Sequence, residues 1–244
     1  MKNLIKNFFR AFGSYFFESY FRKKRFNPID QYIHEEGQES YNTFKKYFSS
    51  SMLFKRENLE YGEKIRTYSL KKAISLNSTN KNPYFLEFGV FKGQSTKLFS
   101  KILLQIDKKI FCFDSFEGLS SDWKGTAFAK GQFSLEKKDR PKFPENVEII
   151  EGNIFETLDN FIKKNKDLKI SFVHFDLDIY DVTKFALKKI KPFLSKSAVI
   201  LFDQIHHVQG WKNEYKALTE VFNENEYEFI AFSEDGQASI LLKS

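Results

Sequence analysis

Tyr84-Phe-Leu-Glu-Phe-Gly-Val-Phe-Lys-Gly-Gln-Ser95 is the most informative stretch of this 244-residue chain. Tyr84–Phe88 is short, aromatic and apolar, as a buried strand is. Gly89 and Gly93 bracket a turn, and the residues from there to about Leu104 read as a helix. Glycine lets a backbone approach a ligand closely, and the helix offers an electropositive N-terminus. The dinucleotide fingerprint G-x-G-x-x-G is absent, because the two glycines stand four apart and Glu87 precedes them. Asp114 ends the next apolar run, Lys109–Phe113, where a carboxylate can accept both hydroxyls of a ribose. Glu87 has two readings, a ligand contact or a buried, hydrogen-bonded structural carboxylate.

Working outward, the alternation continues. Val147–Ile150, Ile170–Phe175 and Ala198–Phe202 read as strands, and Phe155–Lys164, Asp181–Leu194 and Trp211–Asn223 as helices. Tyr227–Phe232 and Ala238–Leu242 flank Ser233-Glu-Asp-Gly-Gln237, a hairpin signal. The expected fold is α/β: a Rossmann-like, doubly wound, seven-stranded sheet, mostly parallel with a C-terminal antiparallel hairpin, plus N-terminal helices. Upstream, Asn77–Pro83 is a turn-rich linker, 57–76 reads as a helix, and 31–55 has no clear period. Leu4, Ile5, Phe8, Phe9, Phe12, Tyr15 and Phe16 give 1–26 an amphipathic helical pattern. The expected divisions are a basic aromatic helix over 1–30, a helical cap and linker over 31–83, and the catalytic domain over 84–244.

Composition narrows the classes. The net charge is +7, yet residues 1–30 hold seven basic residues against Glu18 and Asp30, a balance of +5. The other 214 residues carry only +2. Lys, Phe and Asn are abundant while Arg is scarce, a pattern codon bias alone produces, so the charge is no sign of nucleic-acid binding. One cysteine excludes a disulfide framework and a Cys-cluster zinc site. Cys112 reads as a small core residue. There is no apolar run of about 20 residues and no evident signal peptide, so the expected location is cytoplasmic.

Acidic residues end four of five strands: Glu87, Asp114, Asp176 with Asp178, and Asp203. Asn153 follows the remaining one. One or two such residues are ordinary helix caps, whereas four mark a crevice at the carboxyl ends of a parallel sheet.

In order, Phe85–Gly93, Phe113-Asp-Ser-Phe-Glu-Gly-Leu119, Gly152-Asn-Ile-Phe-Glu-Thr-Leu158, His174-Phe-Asp-Leu-Asp-Ile-Tyr180 with Thr183, and Ile200-Leu-Phe-Asp203 resemble the motifs of the macrocin O-methyltransferase-like family. These are class I, S-adenosylmethionine-dependent enzymes, and the resemblance spans roughly 57–242. It implies that Glu87, Gly89, Gly93 and Ser95 contact the amino-acid part of S-adenosylmethionine. Asp114 would hold the ribose, with Ser115 and Phe116 beside the adenosine. Asn153 and Ile154 would border the adenine, and Asp176 would lie at the methionine end. It also implies a divalent cation at Asp176 and Asp203-Gln204, where family members commonly carry Asp-Asp. Physical reasoning points the same way. Carboxylates of Asp176, Asp178 and Asp203 on neighbouring strand ends would repel and raise a pKa, and a hard cation such as Mg²⁺ relieves that. Such an ion also grips a diol and acidifies the hydroxyl to be methylated.

The expected reaction is O-methylation of a sugar hydroxyl in a glycan, glycolipid or glycosylated metabolite, as in polysaccharide biosynthesis. Catalysis is assigned to Asp203 with His206 or His207, the histidines also reading as plain loop residues. His174 reads as a hydrogen-bonded core residue. Residues 115–144 are long for a connection and read as an acceptor-side lid, with Trp123, Phe128 and Phe133 as stacking surfaces or as the loop's own packing. The basic N-terminal helix has three readings: packing on the domain or on a second subunit, peripheral contact with the inner face of a membrane, or nucleic-acid binding, which no motif supports. The rival functions are a non-catalytic, membrane-associated protein that keeps the cofactor fold and a nicotinamide-dependent oxidoreductase.

Overall fold

A computed structural model describes residues 35–55, 62–123, 126–207 and 211–243. The amphipathic stretch 1–26 and the start of the helix expected at 57 lie outside the described residues. In chain order the elements are α1 (Glu35–Phe48), β1 (Met52–Phe54), α2 (Glu63–Leu76), β2 (Tyr84–Phe88), α3 (Gln94–Leu104), β3 (Ile110–Asp114), β4 (Val147–Glu151), α4 (Ile154–Lys164), β5 (Ile170–Phe175), α5 (Tyr180–Ile190), β6 (Leu194–Phe202), α6 (Lys216–Val221), β7 (Tyr227–Ser233) and β8 (Ala238–Leu242). The strands form one sheet in the order β1-β7-β8-β6-β5-β2-β3-β4. Every pairing is parallel except those of β8 with β6 and β7. The doubly wound sheet and its closing hairpin are as the sequence predicts, with one strand more.

That eighth strand, β1, and the helix α1 come from the stretch 31–55, which shows no clear period. β1 is three residues long, too short for a pattern. α1 buries Phe44 in a box of rings from Tyr215, Phe229 and Phe232, all on distant elements. The helix expected to reach Leu194 ends at Ile190, because Pro192 sits in a 3-10 turn and the strand starts at Leu194. The helix expected over 211–223 opens as a π-turn, Trp211–Tyr215, and ends at Val221.

Alternation of side chains along each strand builds two apolar layers. Leu86, Phe88, Phe113, Val173, Phe175, Ile200 and Phe202 face α4, α5 and α6. Phe85, Cys112, Phe172, Val199 and Leu201 face α2 and α3. At the carboxyl edge of the first layer, Phe113, Phe88, Phe175 and Phe202 stack across four strands with centroids 4.9, 5.1 and 5.5 Å apart. On the other face the same period places Glu87 after Phe85, His174 after Phe172 and Asp203 after Leu201. Three ionisable groups therefore share one face, at the end where a parallel sheet presents its crevice.

Candidate active site at the carboxyl ends of the strands

The floor of the site is a buried ionic chain. Glu87 is fully buried; its Oε2 accepts from Thr96 Oγ1 at 2.6 Å and lies 3.5 Å from Cys112 Sγ, and its Oε1 meets His174 Nδ1 at 3.0 Å. His174 Nε2 lies 3.6 Å from Asp203 Oδ1. That oxygen also accepts from Arg66 Nη2 at 2.7 Å and Gln237 Nε2 at 2.6 Å. Asp203 Oδ2 takes part in none of these contacts. Burial alone would raise the Asp203 carboxyl, but Arg66 and then His174 hold it well below the usual carboxylate range. Burial alone would lower His174, and its carboxylate neighbours Asp203 and Glu87 instead raise it to about 9. Burial and the nearby Glu87 push the Cys112 thiol well up, so it is no nucleophile.

Arg66 and Gln237 have no signal in a local pattern. Arg66 lies on α2 between apolar positions Ile65 and Leu70, 137 residues from its partner. Gln237 reaches Asp203 only because Gly62, at φ 66°, leaves room; a Cβ there would lie 2.3 Å from Gln237 Oε1.

The turn after β2 is held by Asp114. Its Oδ2 accepts from the amides of Val90 and Phe91 at 2.7 and 2.9 Å, and its Oδ1 from Phe116 at 2.7 Å. A carboxylate has roughly four acceptor positions, so about one remains for a ligand hydroxyl. Gly89, at φ 89°, lets the end of β5 pass: a Cβ there would sit 2.0 Å from the Asp176 carbonyl oxygen. The turn after β2 and the backbone at the end of β5 are thus in close contact. Gly93 is covered by Phe143, and Ser95 is buried in the first turn of α3. Ser115 Oγ accepts from the Glu117 amide, and Phe116 is buried beneath the Arg140 guanidinium, 4.6 Å from its ring. Asn153 caps α4 through the Phe155 amide, and Ile154 joins the core. The residues expected at the adenosine therefore gather around the ends of β3 and β4.

Above the floor stand Asp176, Asp178 and Glu214. Burial, then Asp203 and Asp178, pushes the Asp176 carboxyl well above its ordinary value. Burial, then Asp203, raises Asp178 to about 7 against a hydrogen bond from Gln204. Glu214 escaped the sequence reading because it lies 10 residues beyond Gln204, in the π-turn. It is 1% exposed, and its Oε2 accepts from the Gln204 amide at 3.0 Å. Ligand atoms of His174, Asp176 and Asp203 lie within 4.8 Å of one another. Asp203 Oδ2 lies outside the internal bonds and Asp176 stands beside it, so the two offer carboxylate oxygens of the kind a hard divalent cation takes. Imidazolium at His174 does not ligate.

The histidines after β6 are placed differently from one another. His206 is 2% exposed, its Nε2 meets the Ser233 carbonyl at 2.9 Å, and its ring packs on Phe44, Phe48 and Phe232. It is part of the wall between α1 and β7, which corrects its assignment as a base facing an acceptor. His207 is half-buried beside Gly236 of the hairpin. Burial lowers His206 to about 4. The unfolded chain takes up a proton near pH 6.5 that the folded chain refuses until about 4, so stability falls as pH drops through that window. His206→Phe is expected to remove on the order of 2–3 kcal/mol of this acid sensitivity. Urea unfolding at pH 7.5 and 4.5 checks it, and an equal loss in both proteins would refute it.

The described residues of 115–144 fold on themselves. Trp123 is buried and stacks on Phe128; Phe128 meets Phe133, and Phe133 meets Phe91 of the turn after β2. Trp123 is thereby packing, while Phe128 keeps 40% of its surface exposed.

Residues 86–205 match the family profile described as a methyltransferase domain. The sheet order is that of the fold shared with solved methyltransferases. Similar solved structures include CalS11, a calicheamicin methyltransferase, at TM-score 0.59 and 18% identity, covering 85% of this chain and 93% of that one. A second, apo structure of CalS11, described as a TDP-rhamnose 3'-O-methyltransferase, gives 0.51 at 17% identity over 85% and 93%. The O-methyltransferase NovP gives 0.54 at 17% identity over 74% and 80%. A search of curated protein sequences gives no match. The matched span contains every expected cofactor residue, whereas Arg66, Glu214 and Gln237 lie outside it.

Proposed function

We propose that this methyltransferase moves the methyl group of S-adenosylmethionine to a hydroxyl of a sugar, in a glycan, glycolipid or glycosylated metabolite, with a Mg²⁺ ion at the acidic group. The observation that supports this reading is the close approach of Gly89 to the Asp176 backbone, which brings the turn after β2 to the strand end that carries the acidic residues. The likeness to the TDP-rhamnose methyltransferase supports a sugar acceptor. When bound, the cofactor supplies an electrophilic methyl group and the cation polarises the acceptor hydroxyl.

The chain's own residues do the rest. Asp114 offers its remaining acceptor position to the ribose, and Gly89, Gly93 and Ser95 line the amino-acid end. Asp176, Asp203 and the Gln204 side chain would hold the cation. The methyl group that the bound cofactor would supply would pass to the acceptor oxygen, which would give up its hydroxyl proton. Asp178, near neutrality, is suited to receive it. Positioning in line contributes most of the rate, so a weak base suffices.

Mass spectrometry of the purified protein is expected to find S-adenosylmethionine or S-adenosylhomocysteine; a nicotinamide cofactor instead would favour the oxidoreductase. EDTA is expected to abolish transfer while S-adenosylhomocysteine still binds, and activity indifferent to EDTA would reject the cation. Among the described residues no helix is long and apolar enough to cross a membrane. The basic segment 1–26 lies outside the described residues. We read that segment as packing on the domain or a second subunit. Flotation of the full chain on anionic vesicles, lost on deleting 1–26, would show a membrane contact instead.

A further inference from the structure

We propose that Arg140 is a positioning residue for the cofactor: acting through Phe116, it keeps the Asp114 carboxylate in the pose that takes the nucleoside. The inference rests on the cofactor reading above and adds to it a residue that no strand-end pattern marks. Arg140 lies near the end of the long connection between β3 and β4. Its Nη1 meets Glu151 Oε1 at 2.7 Å, and its guanidinium carbon stands 4.6 Å from the centre of the Phe116 ring. Glu151 ends β4 and is the register partner of Asp114 on β3. Phe116 returns to Asp114 by donating its amide to Oδ1 at 2.7 Å. These contacts form a closed circuit that begins and ends at Asp114, and Arg140 is its link from β4 to the loop.

The backbone at Phe116 shows why the link matters. Phe116 has φ 57°, in the left-handed region that a bulky side chain avoids. Such a conformation persists only where its surroundings hold it, and it gathers at functional sites. The amide of Phe116 goes to Asp114, its carbonyl accepts from the Leu135 amide at 3.0 Å, and its buried ring is covered by Arg140. The ion pair by itself contributes little, because Glu151 keeps about half of its side chain in water. The geometry contributes more, since a guanidinium pairs at its edge and stacks on its face at once. Arg140 Nε is buried and has no hydrogen-bond partner. An unmade bond of this kind costs stability, so the guanidinium sits where it shapes the loop and not where its own donors are best met. Asp114 also holds the Val90 and Phe91 amides through Oδ2, so releasing the Phe116 amide turns the whole carboxylate away from a ribose.

Calorimetry with S-adenosylhomocysteine on the full chain tests this. Arg140→Met keeps an apolar stem and removes the guanidinium. It is expected to weaken binding by about tenfold, the size of one lost hydrogen bond to a charged group, with the melting temperature of the ligand-free protein nearly unchanged. Arg140→Lys returns the charge without the stack and should bind no better; full recovery there would show that charge alone acts, and would overturn the inference. Phe116→Gly supplies the decisive background, because glycine adopts a φ near 57° unaided. Adding Arg140→Met to it should cost no further affinity. An equal loss in both backgrounds would show that Arg140 does not act through Phe116, which also overturns the inference. So would unchanged affinity in Arg140→Met with a lowered melting temperature, the mark of a residue that only staples the loop. If the unaltered protein binds no S-adenosylhomocysteine, the cofactor reading itself falls and this inference with it. Should Arg140→Met not fold, Glu151→Gln, which loosens the exposed end of the pair, is judged by the same comparison of backgrounds.

Discussion

Asp203→Ala is expected to cost about 3–5 kcal/mol of stability and to abolish methyl transfer. The loss follows from what stays behind. Arg66 and His174 would be buried cations without their shared carboxylate, and Gln237 would lose its acceptor. Breaking such a group by deleting one partner leaves uncompensated charge, which is far worse than the net worth of the contacts. In a chain of this size the melting temperature should fall by roughly 10 °C. Arg66→Met should be nearly as damaging, because Asp203 would then keep His174 as its one charged partner beside the neutral Gln237 amide. Guanidinium unfolding of both variants measures the effect, and a loss below about 1 kcal/mol in each would mean that the ionic chain is not formed. Calorimetry at a temperature where Asp203→Ala is folded should still show S-adenosylhomocysteine binding, since the cofactor turn is fixed by Asp114.

Asp114→Ala should do the reverse, with cofactor affinity suffering most. The substitution removes the acceptor of three backbone amides that shape the turn, as well as the remaining oxygen position offered to a ribose. Hydrogen bonds to a charged group contribute about 1.5–3 kcal/mol each, and about 1.4 kcal/mol is tenfold in affinity. S-adenosylhomocysteine binding is therefore expected to weaken at least tenfold and towards a hundredfold. Asp114→Asn keeps one acceptor oxygen and should fall between. Unchanged affinity on calorimetry in Asp114→Ala would remove this residue from the cofactor site.

The placement of these residues was partly legible in the linear chain. Strand ends announced Glu87, Asp114, Asp176, Asp178 and Asp203, because a short apolar run closed by a carboxylate is a local pattern. The fold class was legible for the same reason: alternating strand and helix periods require a parallel sheet with crossovers. Two short elements escaped. β1 is three residues long and α1 owes its place to rings on β7 and the π-turn. His206 looked like a candidate base by proximity to Asp203, yet its ring packs against α1.

Sequence alone established the sheet, its strand ends and the family resemblance, since period and spacing act over a few residues. Tertiary structure settled the partnerships. Arg66 meets Asp203 across 137 residues, and Gln237 reaches it across 34. Glu214 answers Gln204 through a turn of unusual pitch. Such pairs leave no periodic trace, because their energy arises only when burial removes water from both partners at once. Arginine held one clue. In a chain rich in lysine, Arg66 and Arg140 both lie at the site, one paired with Asp203 and the other spread over Phe116. A planar guanidinium can pair and stack in ways a lysine ammonium cannot.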